Sequence, residues 1–300
     1  MTRDEAYVCA HALMGTTVSV QVIGHGASQR ARRDRQRGVD RAIGWFTHVE
    51  SVCTRFDAHS ELRRLSTRIG EAVPVSPLLF EAVQFALAVA DASDGAFDPT
   101  VGHRMEARGF DQAHRTGARV ASDISVAEDV SYRDVELDAE ARTITLHRPL
   151  VLDLGAVAKG LALDMAAREL APLVNFALDA GGDLFLGGHN AAGDAWAVGL
   201  RHPHDTTQLL DTIHVTDTAV CTSGDYERPG HILHAVHGES PATMASATVV
   251  APSAMVADAL ATAAYVLGPT DGIALLERHD VSGLLVTSTM DRYTTRAWIQ

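Results

Sequence analysis

Long apolar runs are missing from this 300-residue chain, and no stretch approaches the roughly 18–20 apolar residues that cross a bilayer. The N-terminal MTRDEAYVCAHAL carries Asp4 and Glu5 and has no apolar core, so neither a secretory signal nor a lipid anchor on Cys9 is expected. A cytoplasmic location is the corresponding expectation. Cysteine is scarce: Cys9, Cys53 and Cys221 form an odd, widely spaced set that matches no disulfide framework or zinc-ligand spacing. Positive charge is short as well. Lys and Arg number 25 against 38 Asp and Glu, a formal charge of -13, which excludes the basic face a nucleic acid requires. The single basic cluster, RARRDRQRG from Arg30 to Gly38, reads as a solvated loop or helix start. Repeats and low-complexity linkers are absent, so no boundary divides the chain.

What is present is a mixture of element signals. Met14 to Ile23 alternates small or apolar residues with polar ones, as a strand does. Residues 39–52 have helical spacing. Ser76 and Pro77 give a second helix an N-cap and a first-turn proline, with Gly95 as its stop. Two short runs around Asp138–Arg142 predict a hairpin. The segment after Asp153 predicts a helix to about Leu170, where Pro172 bars extension. Strand-like runs fill 174–250. Ser253 then opens an Ala-rich helix to Gly268, a shorter helix covers 271–278, and two strands close the chain. Strands in blocks with inserted helices predict an α+β fold. The expected organisation is one compact domain, 13–300, of two closely joined halves, preceded by an extension, 1–12.

Several strings carry chemistry. DLGAVAKGLALD, Asp153–Asp164, follows an apolar run and places a carboxylate, a Gly-Ala turn and Lys159 at a helix start. Such a terminus suits phosphate oxygens, although a strand-end carboxylate and a solvated lysine read the same way. In VADALATAA, Asp258 and Thr262 stand four apart and share a helix face kept slim by alanines. A carboxylate and a hydroxyl are hard ligands of the kind Mg²⁺ takes, and they equally describe a solvated Asp and a Thr bonded to its own helix. Gly181-Gly182 permits positive φ or a close ligand approach. TSGDYERPG offers Thr222, Ser223 and the Gly224 backbone as phosphate or ribose donors, or forms a polar turn. His231 is a candidate base or a structural histidine.

These strings, with MGTTVSVQV from Met14, TRFDAHSEL from Thr54, DGAFDPTVG from Asp94, LDAGGDLFLGG from Leu178 and VVAPSAMVADALATAAYVLG from Val249, occur in an order that resembles the ApbE-type FAD:protein FMN transferases. The resemblance runs from about Leu13 to the C-terminus. It implies an ApbE-like fold of mixed, largely antiparallel sheets. It also implies Mg²⁺-dependent transfer of FMN from FAD to a threonine of an acceptor protein, with release of AMP. By the same resemblance, Asp258, Thr262 and a backbone carbonyl near Ala156 hold the metal. Asp153 and Lys159 face the flavin nucleotide, and Ala96, Phe97 and Asp98 line the pocket. Met14 and Phe56 pack a ring system, Gly181, Gly182, Thr222 and Ser223 border the ligand, and His231 is the base. One departure stands out. Where the family reads His-Ile-x-Asp-Pro-x-Thr-Gly, this chain reads HILHAVHG, with His234 and Ala235 in place of Asp-Pro and His237 in place of Thr. Two rival functions stand beside it: a metal-dependent FAD pyrophosphatase with the same residues, releasing FMN and AMP, and a non-catalytic binder, either a flavin reservoir or a transition-metal protein using some of the 15 histidines, among them His202/His204 and His231/His234/His237.

Overall fold

The computed structural model describes residues 6–24, 28–112, 117, 119–120, 122, 124–127, 129–225, 230–235 and 238–299. In chain order, strands β1 (Tyr7–Leu13) and β2 (Thr16–Val22) precede helices α1 (Gln29–Cys53) and α2 (Glu61–Leu65). Strand β3 (Val73–Pro74), helices α3 (Pro77–Ala92) and α4 (Gly102–Ala107), strands β4 (Val135–Asp138) and β5 (Thr143–Leu146) and helix α5 (Gly155–Leu170) follow. Then come β6 (Phe176–Ala180), β7 (Asp183–Gly187), β8 (Trp196–His202), β9 (Asp205–Val215), β10 (Thr218–Ser223) and β11 (Met244–Ala251). Helix α6 (Ala254–Arg278) and strands β12 (Ser282–Thr287) and β13 (Arg292–Thr294) end the chain.

The main sheet has eight strands in the order β1-β2-β6-β7-β10-β11-β12-β13, and every neighbouring pair is antiparallel. The N-terminal extension thus supplies the edge strand, and Tyr7 donates from its hydroxyl to Gln36 on α1. The expected hairpin forms as β4–β5, with Val135 opposite Leu146. One face of the main sheet carries the large core, into which α1, α3, α5 and α6 bury Phe46, Leu79, Leu161, Leu163, Leu260 and Tyr265. Against the other face lies the two-stranded β8–β9 ribbon, which buries Trp196, Val198, Ile213 and Val215 on Leu186, Val220 and Val286. Strand β11 lies between these layers and is buried at all eight positions. MASATVVA accordingly carries no charge, and its polar groups are only the small hydroxyls of Ser246 and Thr248, both buried.

The basic cluster is part of α1, whose N-cap is Ser28, and not a loop. Helix α6 is long and apolar enough to cross a membrane by composition, but it is a core helix, broken at Gly268 (φ 80, ψ -177). This break separates the two helices read from the sequence. Helices α5 and α6 cross at Gly160, where a Cβ would lie 2.4 Å from the Ala254 carbonyl oxygen. Asp164 fixes that crossing: its carboxylate accepts from the Ser253 hydroxyl (2.6 Å) and from the Ala254 (2.7 Å) and Met255 (3.0 Å) amides. An acid at the first turn of a helix completes the orphaned N–H groups and complements the dipole.

Candidate active site

A cavity of about 610 Å³ opens where the ends of β6 and β10 meet the first turns of α5 and α6. It gathers Met14, Phe56, Phe97, Asp98, Asp153, Ala156, Lys159, Gly181, Thr222, Ser223, His231, Asp258 and Thr262, which are distant in sequence. Two expected residues are not on its wall. Ala96 is buried behind it, with its carbonyl accepting from the Ala235 amide (3.3 Å). Gly182 is exposed as the second residue of the β6–β7 turn, its amide donating to Asp179 (2.8 Å). Both glycines of that turn have positive φ, 70° and 95°, the geometry of a two-residue hairpin. Gly181 has a further constraint, since a Cβ would sit 2.2 Å from the Thr16 hydroxyl.

Met14 reaches the cavity from a similar device. Met14 and Gly15 form the β1–β2 turn with φ of 51° and 72°, a conformation uncommon for a side chain as large as methionine. Phe56 lies under the Arg55 guanidinium, 4.1 Å from ring centroid to Cζ. Asp98 borders the cavity, but its carboxylate is already used. Oδ1 accepts from the Thr100 amide (2.8 Å) and hydroxyl (2.7 Å), and Oδ2 from the Tyr132 amide (2.8 Å). Burial raises its pKa, and these hydrogen bonds oppose the rise.

The polar end of the cavity is built by α5, α6 and β7. Asp258, 4 % exposed, and Asp183, 5 % exposed, both face the Lys159 ammonium, which donates to Asp183 and lies 3.4 Å from Asp258 Oδ2. Burial opposes the charge on Lys159, but Asp183 and then Asp258 hold its pKa above the ordinary lysine value. The Asp258 pKa is pushed up to about 7, first by burial and then by the like charge of Asp183, with Lys159 pulling the other way. Lys159 therefore pairs with two carboxylates on the wall of the cavity that the resemblance gives to the nucleotide. Thr262 shares a hydrogen bond with Ser223 (Oγ–Oγ 2.9 Å), which joins α6 to the end of β10.

Two residues were missed by sequence reasoning. Asp183 follows the Gly-Gly turn in LDAGGDLFLGG, and nothing local in sequence marks it as a site residue. Its Oδ1 also accepts from the Thr222 amide (3.3 Å). Arg55, in TRFDAHSEL, is 3 % exposed and binds Asp153 Oδ2 through Nε (2.7 Å) and the Phe110 carbonyl (2.6 Å). A buried arginine is rare unless paired, but its partner lies 98 residues away in sequence, beyond any local signal. Asp153 in turn accepts from the Gly155 amide (2.8 Å) at the start of α5.

His231 stands at the flank with Nδ1 3.6 Å from Asp225 Oδ1, and Asp225 Oδ2 accepts from the Ser240 hydroxyl (2.7 Å). Beyond it, His234 closes the loop through its backbone: its amide donates to Glu239 (2.9 Å) and its carbonyl accepts from Gly238 (2.7 Å). His237 lies outside the described residues. Among the described residues, no group of three or more His, Cys, Asp or Glu is arranged to hold a metal.

The fold is α+β, and a sheet end and two helix starts enclose the cavity. The ApbE family model matches residues 14–285, and the chain belongs to the ApbE family. The FAD:protein FMN transferase of Treponema pallidum is 31% identical, over 91% of this chain and 82% of its own length. That of Vibrio cholerae is 28% identical, over 93% of this chain and 87% of its own. Among solved structures, the Vibrio cholerae flavin transferase ApbE superposes with a TM-score of 0.83 at 25% identity, covering 98% of both chains. The ApbE protein of Thermotoga maritima gives 0.83 at 27% identity, covering 97% of both.

Proposed function

We propose that this chain is an FAD:protein FMN transferase that moves FMN from FAD to a threonine hydroxyl of an acceptor protein. The observation that carries the reading is one cavity with oxygen ligands and an ammonium at one end and a carboxylate-backed histidine at its flank. Relatives spanning nearly the whole chain bear that name.

The donor set fits Mg²⁺. Asp183 and Asp258 are buried carboxylates that share one ammonium, so the three groups carry a net charge of -1 when both acids are ionised. Thr262 adds a hydroxyl and Ala156 a backbone carbonyl on the same wall. Hard oxygens in small number, completed by phosphate and water, are what Mg²⁺ prefers. Asp258, Thr262 and the Ala156 carbonyl would hold the ion, which when bound supplies charge neutralisation at the diphosphate.

The rest falls to this chain's side chains. Met14, Phe56 and Phe97 give apolar surface for ring systems, and the N-terminus of α5 faces the phosphates. The acceptor hydroxyl attacks the FMN-side phosphorus, forming a phosphoester bond as the bond to the bridging oxygen breaks, and AMP leaves with that oxygen. His231 takes the hydroxyl proton at Nε2, with Asp225 Oδ1 3.6 Å from Nδ1, where its charge favours the imidazolium that forms. Incubation with FAD, Mg²⁺ and a candidate acceptor, followed by intact-mass measurement, tests the reading. Covalent FMN on the acceptor supports it. Consumption of FAD to free FMN and AMP at the same rate with and without acceptor would make the protein a pyrophosphatase instead.

A further inference from the structure

The loop that carries His231 lacks the Asp-Pro pair that follows this histidine in the family pattern, with His234 and Ala235 in its place. An aspartate side chain can accept from nearby backbone amides, and proline fixes φ, so both normally stiffen such a turn. Here the loop is closed by its own His234 backbone bonds and is also held from outside by two side chains. The Ala235 carbonyl accepts a hydrogen bond from the Arg104 guanidinium, and the Gly238 carbonyl accepts one from Arg108. Arg104 and Arg108 are four residues apart, Arg104 within α4 and Arg108 at its C-cap, and so present their guanidiniums on one side.

Helix α4 is itself a fixed platform. The Gly102 amide donates to the Val151 carbonyl (3.1 Å), in contact so close that a Cβ on Gly102 would lie 2.5 Å from that oxygen. Glu106 on the same helix pairs with Arg63 (3.4 Å) and accepts from the Ser122 amide (3.0 Å). Ser240, later in the same loop, donates to Asp225 Oδ2, and Asp225 Oδ1 lies 3.6 Å from His231 Nδ1. His231 therefore borders a carboxylate and belongs to a loop whose backbone carbonyls two arginines hold. Ile232 and Leu233, buried in the cavity wall, connect His231 to that backbone.

We propose that Arg104 and Arg108 are positioning residues for His231, their guanidinium–carbonyl bonds fixing the backbone of the loop that carries it. The inference rests on the transfer reading with His231 as base. The test compares wild type with the double variant Arg104→Met/Arg108→Met and with each Arg→Lys single variant. Three readouts are used: hydrogen exchange of the 230–240 peptide, FAD affinity from flavin fluorescence, and the rate of FMN transfer. In the double variant, exchange in that peptide should rise about tenfold or more while β10 and β11 stay protected. FAD affinity should hold within about twofold, while kcat for transfer falls about 10- to 100-fold, the scale of a misplaced reacting group. Lysine, which still donates to a carbonyl, should restore most of the rate. In a His231→Ala background, the same double substitution should cause no further loss.

Unchanged exchange at 230–240 would overturn the proposal, as would an equal fold-loss in the His231→Ala background. If the double variant does not fold, the single Arg→Met and Arg→Lys pairs carry the same comparison. Faster exchange together with no transfer by the wild type would leave the anchoring intact and bring down the transferase reading.

Discussion

Replacing Lys159 by methionine keeps the length of the side chain and removes the one cation between Asp183 and Asp258. Both acids are about 5 % exposed, so as pH rises the variant must either keep a proton on Asp258 or face two ionised carboxylates away from water. Removing one partner of a buried pair costs roughly 3–5 kcal/mol. The Lys159 side chain is 30% exposed, so the low end, about 3 kcal/mol, applies. At about 2 °C per kcal/mol for a chain of this size, the melting temperature should fall by about 6 °C. The loss depends on pH in a defined direction. Asp258 binds its proton more tightly folded than unfolded, so its stabilisation is full below the ordinary carboxylate pKa and drains away as pH rises through about 7. Without Lys159 that proton is held more tightly still. The gap between variant and wild type should therefore be small near about pH 5 and wide near about pH 8. Mg²⁺ should close part of it, raising the variant's melting temperature more than the wild type's. Differential scanning fluorimetry at two pH values, with and without Mg²⁺, measures all of this. A variant as stable as wild type near pH 8, with an equal response to Mg²⁺, would refute the arrangement of two charged carboxylates about one ammonium.

Asp258→Ala should abolish Mg²⁺-dependent turnover with the fold intact by circular dichroism, and Thr262→Ala should be milder because water replaces a hydroxyl ligand; near-normal activity in the first would remove Asp258 from the site. His231→Ala should keep FAD binding and lose ~10²–10⁴-fold in transfer, as for a general base. His234→Ala should be mild by the same assay, because that residue closes the loop through its backbone. Gly160→Ala should destabilise by about 1–3 kcal/mol or more in denaturant unfolding, since the new methyl meets the Ala254 carbonyl and neither helix backbone can yield cheaply.

What the sequence disclosed and what it withheld divide along range. Ser76, Ser253 and the turn around Asp138–Arg142 act on neighbours within four residues, and their helices and hairpin form where those signals stand. Asp258 and Thr262 were legible as one face because helix geometry alone puts them there. The partners of Lys159 were not. A lysine at a helix start reads as a phosphate ligand, and only the tertiary fold brings Asp183 from the β6–β7 hairpin and Asp258 from α6 against it. Asp164 shows the same limit: in sequence it merely ends DLGAVAKGLALD, whereas in the fold it caps α6, 90 residues away. Asp98 and Ala96 illustrate the converse. They belong to a string that borders the cavity, and the carboxylate of one and the carbonyl of the other hydrogen-bond neighbouring segments. A motif marks a place in the fold, and which of its atoms face the ligand is decided by packing.

The central claim, group transfer to a protein hydroxyl, is tested most directly by counting products. A threonine-bearing acceptor is incubated with the protein, FAD and Mg²⁺, and both the acceptor's intact mass and the AMP released are followed over time. The account predicts one AMP for every FMN bound to the acceptor, with modification lost when the threonine is replaced by valine. AMP and free FMN in equal amounts, with the acceptor mass unchanged, would contradict it.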